Sequence, residues 1–185
     1  MKNKLEIHND GINIYVTLIV NSHIIGKTLL SLFVILLIGG LIYFPSTIPK
    51  EEVSSFIFPI LIFGFLVFFF PVRYLLWNIY GKENLIINTK TLSHYNDYGI
   101  FKTNLKTHAH QRLGTSFEHI RTTDNIKLGK LLFVKHNDEN NLPEYLYETT
   151  VLLNSENIKM IDNEISRLYD IELNEEFNFQ SFSDN

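Results

Sequence analysis

The sequence predicts an α+β membrane protein: a two-helix transmembrane hairpin inserted into a mostly antiparallel β-domain of about seven strands with a C-terminal helix. Three observations carry that prediction. Two long apolar runs without a single charge, Thr28 to Phe44 and Val53 to Phe70, lie close together. Short segments on both sides of them alternate apolar and polar residues. Near the end, Ile158, Ile161, Ile165 and Leu168 recur at helical spacing.

The first expected element is a β-hairpin, within residues 1–22. Leu5 and Ile7 alternate with polar neighbours, and Ile12, Ile14, Val16 and Leu18 alternate with Asn13, Tyr15 and Thr17. That is the two-residue period of a half-buried strand. Asn9-Asp10-Gly11 lies between the two runs, and Asp-Gly suits a tight hairpin turn.

Residues 23–80 form the expected transmembrane hairpin, with spans at about 28–44 and 53–72. The uncharged stretch around each run extends to about twenty residues, the length an α-helix needs to cross a hydrocarbon core about 30 Å thick. Pro45 to Glu52 holds two prolines and three charges, so the chain turns there. A cleaved signal peptide does not fit the first run. It begins after 27 mostly polar or strand-like residues, no Ala-x-Ala-like site follows, and a second span comes at once. A buried helical pair of a soluble protein would keep a polar stripe, and Leu32 to Ile42 and Ile57 to Phe70 show almost none.

Charge sets the expected orientation. Lys2, Lys4 and Lys27 precede the first span, and Arg73, Lys82 and Lys90 follow the second; the connecting loop has only Lys50, beside two glutamates. Basic residues stay on the cytoplasmic side, which predicts a multi-pass protein of the plasma (inner) membrane with both termini cytoplasmic. Tyr43 at the outer end, and Arg73, Tyr74, Trp77 and Tyr80 at the inner end, are the expected membrane-interface anchors. Aromatic rings favour that layer, and a span-end arginine snorkels to it.

Residues 81–170 supply the rest of the β-domain. Leu85 to Ile87 reads as a strand. Thr91 to Tyr95 and Ile100 to His108 read as a pair around Asn96 to Gly99. Leu131 to Val134 and Tyr145 to Leu152 add two more strands, separated by a polar loop from His136 to Pro143. The segment from His110 to Lys130 reads as a loop with one short strand at His119 to Thr122. Asn154 or Ser155 caps the closing helix. Residues 171–185 read as a flexible acidic tail. Two spans return the chain to its starting side, and an isolated two-stranded hairpin is marginal in water, so the N-terminal hairpin is expected to join the later sheet.

Composition narrows the function. The chain has 185 residues, 45% of them hydrophobic, yet its mean hydropathy is only +0.04. That average mixes a very apolar hairpin with an ordinary polar domain. There is no cysteine, which excludes disulfides, zinc–thiolate sites, iron–sulfur clusters and thiol nucleophiles. The net charge of −4 argues against a nucleic-acid partner. His94, His108, His110, His119 and His136 form the densest histidine region, and His-x-His on a strand places both rings on one face. No helical metal-ligand spacing accompanies them, so no metal site or cofactor is expected. Ser93 and Ser116 lack a nucleophile-elbow context. Gly114 and Gly129 are isolated and cradle no phosphate. Lys102, Lys106, Arg112 and Arg121 are open to two readings, a solvated sheet face or a contact with anionic headgroups.

The stretch Leu76-Trp77-Asn78-Ile79-Tyr80-Gly81-Lys82-Glu83-Asn84-Leu85-Ile86-Ile87, with Gly129-Lys130-Leu131-Leu132-Phe133 and the strand and helix after it, resembles small bacterial membrane proteins that join a pleckstrin-homology-like (bacterial PH, YcxB-like) domain to a transmembrane hairpin. The resemblance covers Leu5 to Leu168 and carries no catalytic signature. It implies a PH-like β-domain and a binding or scaffold role. Three function classes follow: a non-catalytic membrane-anchored binding or scaffold module, an accessory subunit of a larger membrane complex, or a small membrane enzyme built on His108, His110 and His119. The expected partners are the lipid bilayer and a membrane protein or a second copy of the chain.

Overall fold

The computed structural model describes residues 4–49, 51–123, 125–136 and 142–183. Lys2, Lys50 and loop residues 137–141 therefore lie outside the described residues. Among the described residues there are nine strands in two antiparallel sheets, where the sequence predicted about seven.

The first sheet runs in the order β1 (Lys4–Asn9), β2 (Ile14–Ile19), β3 (Lys82–Ile87), β4 (Thr91–Asp97) and β5 (Lys106–Ala109). β2 pairs antiparallel with β3, with Val16 opposite Leu85, although 68 residues and both long apolar helices lie between those two positions. The N-terminal hairpin thus forms the first two strands of the sheet. Its turn takes four residues, not two: Asp10 N–H donates to Asn13 O at 3.1 Å, and Gly11 has φ +89°. Ile12 lies in that turn and is exposed, which corrects its expected place on the strand. Asp10 Oδ1 accepts from Ile12 N–H and Asn13 N–H, and this side-chain turn draws the extra residues out of the ladder. β5 is also shorter than predicted. Ile100 to Leu105 form an excursion joined to β4 by one bridge, Asp97 to Lys102.

The second sheet contains β6 (Leu113–Thr123), β7 (Ile126–His136), β8 (Pro143–Glu148) and the short β9 (Leu153–Asn154), with β8 and β9 both pairing with β7. The loop expected between His110 and Lys130 is instead a long hairpin of two eleven-residue strands. A register shift between His119 and Arg121 breaks the alternation there, and the outer half of β6 is exposed on both faces. No apolar period was therefore present to read.

The two sheets and the last helix share one core. Ile14, Val16, Leu18, Leu85, Ile87 and Leu92 come from the first sheet, and Leu113, Leu131, Phe133 and Leu153 from the second. The final helix, α4 (Ser155–Ser183), adds the predicted stripe Ile158, Ile161, Ile165 and Leu168, all buried. Asn154 caps it, its Oδ1 accepting from Asn157 N–H at 2.8 Å. The helical backbone runs on to Ser183, past the boundary at residue 171. No proline or glycine interrupts residues 155–183.

The apolar runs form α1 (Ile24–Thr47) and α2 (Val53–Val67). α2 continues through a wider π-helical turn (Phe68–Val72) into α3 (Arg73–Tyr80). Pro71 explains the turn. It has no N–H to donate, and its ring would strike the carbonyl of Val67 in a regular helix. Arg73 N–H instead reaches back five residues to Phe68 O. Both helical segments are long and apolar enough to cross a membrane. Only 6% of each apolar window is buried, so neither is the core helix of a soluble fold. At the end of α3 the chain passes through the single residue Gly81 into β3.

Candidate functional site

The site lies where the helical hairpin meets the β-domain. α3 is fixed there by three contacts. Gly81 N–H donates to Trp77 O, and Val20 N–H donates to Gly81 O, both at 2.9 Å. A Cβ on Gly81 would overlap the Trp77 carbonyl and indole, so the close approach requires glycine. Gly99, at φ +86°, lies against Tyr80 with no room for a side chain.

These constraints aim Arg73 and Trp77 at Tyr98. The Tyr98 ring is 5.1 Å from the Trp77 ring and stacks at 4.7 Å on Phe101. The Arg73 guanidinium lies 4.9 Å from the Tyr98 ring centroid, and its Nη2 donates to Tyr98 Oη at 3.0 Å. That combines a cation–π contact with a hydrogen bond. Beside this group is an open cavity of about 770 Å³. Its floor is apolar: Leu30 and Phe33 of α1, and Phe69, Phe70 and Pro71 of the π-helical turn. Its rim carries Arg73, Tyr74, Trp77, Asn96, Tyr98 and Thr150. Among the described residues, Arg73 is the one charged residue lining it. Asn96 Oδ1 is buried and has no hydrogen-bond partner among the described residues.

The expected anchors divide into two groups. Tyr43, Tyr74 and Tyr80 are exposed. Arg73 and Trp77 are half-buried, and both engage the β-domain. The four weighed basic residues do not share one sheet edge. Lys102 pairs with Asp97 at 3.5 Å, Lys106 is on β5, Arg112 is exposed in the segment joining β5 to β6, and Arg121 is on β6.

A second polar group lies between the sheets, and sequence reasoning missed it. Glu83 is fully buried. Its Oε1 accepts from Tyr147 Oη at 2.7 Å, and its Oε2 accepts from the N–H groups of Thr150 and Val151 at 2.8 and 2.9 Å. One carboxyl thus ties β3 to β8 and the segment after it. Burial pushes its pKa up to about 7, against the pull of those three donors. The signal was present. Glu83 shares the inward parity of Leu85 and Ile87. The hydroxyl of Tyr147 is raised above its usual range, first by burial and then by the Glu83 charge.

The Tyr147 ring stacks on His94 at 3.7 Å, and His94 stacks on His108 at 5.5 Å. Burial, followed by the charges of His108 and Lys106, lowers His94 to about 4. Burial likewise holds the His110 imidazole below its ordinary value. His119 lies on β6 in the other sheet and contacts Thr122 Oγ1 at 3.1 Å. His108 therefore meets His94 rather than His119. Among the described residues no three His, Asp or Glu side chains gather as a metal-holding group.

No family model, curated protein or solved structure matches this chain.

Proposed function

We propose that this chain is a non-catalytic, membrane-anchored binding or scaffold protein. Its spans sit in the plasma (inner) membrane with both termini cytoplasmic, and its β-domain, PH-like in kind, engages a lipid or a membrane-protein partner at the cytoplasmic face. The observation that carries this reading is the cavity shared by the hairpin and the domain. Its apolar floor continues the exposed apolar surface of α1 and α2, and its rim is polar. Arg73 lies about 21 residues past the connecting loop. At 1.5 Å per residue that is about 32 Å, close to the thickness of a hydrocarbon core. The rim then sits in the headgroup layer, where Tyr74, Trp77 and Tyr80 act as interface anchors beside Arg73.

A specific feature supports the second reading, an accessory subunit of a larger complex. A Cβ on Gly39 or Gly40 would meet nothing within 4 Å. The internal hairpin does not require these glycines, and they leave α1 open to another helix. The enzyme reading needs His119 beside His108 and His110, and His119 lies on the other sheet.

Photo-crosslinking in intact membranes tests the proposal. A benzoylphenylalanine at Phe69 should capture lipid or a discrete polypeptide. The same probe at Ile12, in the β1–β2 turn at the opposite end of the sheet, should not. Equal labelling at the two positions would end the binding reading.

A further inference from the structure

We propose that the cavity between the hairpin and the β-domain binds one anionic phospholipid of the adjoining leaflet, with its phosphate on Arg73. The inference rests on the binding reading above and names the ligand of that same site.

The cavity has the polarity of a phospholipid. Leu30, Phe33, Phe69 and Phe70 form one wall, and they match acyl chains. Arg73 forms the other pole, with its guanidinium fork held by Tyr98 Oη at 3.0 Å and by the ring beneath it. Two groups hold the fork in place, which reduces the ordering cost of a phosphate contact. Among the described residues no carboxylate lines the cavity, so none offsets the positive charge or receives a headgroup ammonium there.

The aromatic rim raises a rival, a choline headgroup held by Trp77, Tyr74 and Tyr98. Aromatic cages do bind quaternary ammonium groups. Arg73 rules against it, because the guanidinium already lies over the Tyr98 ring at 4.9 Å and would repel a second cation there. A headgroup carrying hydroxyls fits better. Asn96 and Thr150 add polar residues to the same rim. A phosphatidylglycerol-type headgroup supplies a phosphate for Arg73 and hydroxyls for that polar rim.

The test uses the full chain in mild detergent, equilibrated with equal amounts of phosphatidylglycerol and phosphatidylcholine of matched acyl length. Retained lipid is counted by native mass spectrometry. The wild type should hold one phosphatidylglycerol, preferred about fivefold or more over phosphatidylcholine. Arg73→Gln should remove that preference. Leu30→Trp, which fills the apolar floor and spares the charge, should lower retention of both lipids. It also provides the answer if Arg73→Gln fails to fold. Equal retention of the two lipids by the wild type would overturn the assignment. So would an undiminished preference in folded Arg73→Gln, or undiminished retention in Leu30→Trp. If crosslinking at Phe69 still captures a polypeptide after such a result, the binding reading stands and only the lipid assignment falls.

Discussion

α1 and α4 are both long helices, and they are covered in opposite ways. α4 buries a single stripe, Ile158, Ile161, Ile165 and Leu168, while Lys159 and Glu164 lie off it. α1 has one buried residue, Val34, and exposes Leu29, Leu32, Phe33, Ile35 and Leu36 around its circumference. A stripe identifies a helix with water on one side and protein on the other. A helix that is apolar all round needs an apolar surrounding on every side. The two helices thus present two different kinds of surface in one chain, and each can be tested.

The largest effect is expected on the α4 side. Ile161 is fully buried, and Ile161→Ala should cost about 2–5 kcal/mol. Denaturant unfolding of the β-domain in detergent, followed by tyrosine fluorescence, would measure it. A near-neutral value would mean that the stripe faces a partner rather than the core.

For α1 the opposite experiment adds polarity. Leu36 lies at mid-helix, and Leu36→Asp should cost about 3 kcal/mol of membrane insertion. A glycosylation reporter of translocon insertion reads this directly. Unchanged insertion would break the comparison, because the surroundings of α1 would then tolerate a charge.

The buried carboxyl sharpens the comparison through pH. Glu83 keeps its proton in the fold up to about pH 7, whereas an unfolded chain releases it near 4.5. The fold is therefore favoured below pH 4.5, and that advantage is lost as pH rises from about 4.5 to about 7. It amounts to about 3 kcal/mol at most. His94 has the opposite sign. Its folded pKa is lowered from 6.5 to about 4, so it withdraws stability as pH falls from about 6.5 to about 4. In the wild type the two slopes oppose each other between about pH 4.5 and 6.5. Glu83→Gln should expose the histidine slope, to which His110 adds with the same sign as His94, with melting temperature falling steadily on acidification below about pH 6.5. An unchanged pH profile in Glu83→Gln would show that the carboxyl does not titrate in this range.

The smallest effect concerns the cap of α4. Removing the Asn154 side chain, which accepts from Asn157 N–H, should cost about 1 kcal/mol. Asn154→Asp should retain most of that amount. Thermal unfolding of the two variants side by side would check both values.

Sequence patterns revealed those parts of the molecule whose cause is local. The two long apolar helices, the α4 stripe and the Asn154 cap follow from composition, periods and end signals within one segment. Pairing of β2 with β3 followed from the even number of spans, since a lone hairpin has nowhere else to bury Ile14, Val16 and Leu18. The β6–β7 hairpin was hidden because its outer half faces solvent on both sides and a register shift breaks its period. The site was hidden for another reason. Arg73 meets Tyr98 25 residues away, and Glu83 meets Val151 68 residues away. No spacing rule spans such distances. Only the inward parity of Glu83 hinted that a carboxyl was being carried into the core.

The π-helical turn at Phe68 to Val72 sets the angular phase of everything after it. Each helical residue advances about 100° around the axis, and a π turn absorbs one residue more than an α turn. Arg73 and Trp77 are therefore rotated by about 100° from where an unbroken α2 would point them. α2 can keep its α1-facing and outward apolar sides, while the last two turns of the same rod present a different side to Tyr98. Deleting Phe69 would remove the surplus residue and keep the guanidinium on the Tyr98 ring, whereas Pro71→Ala, by letting the same number of residues run as a regular α-helix, would swing it off without changing any residue of the rim.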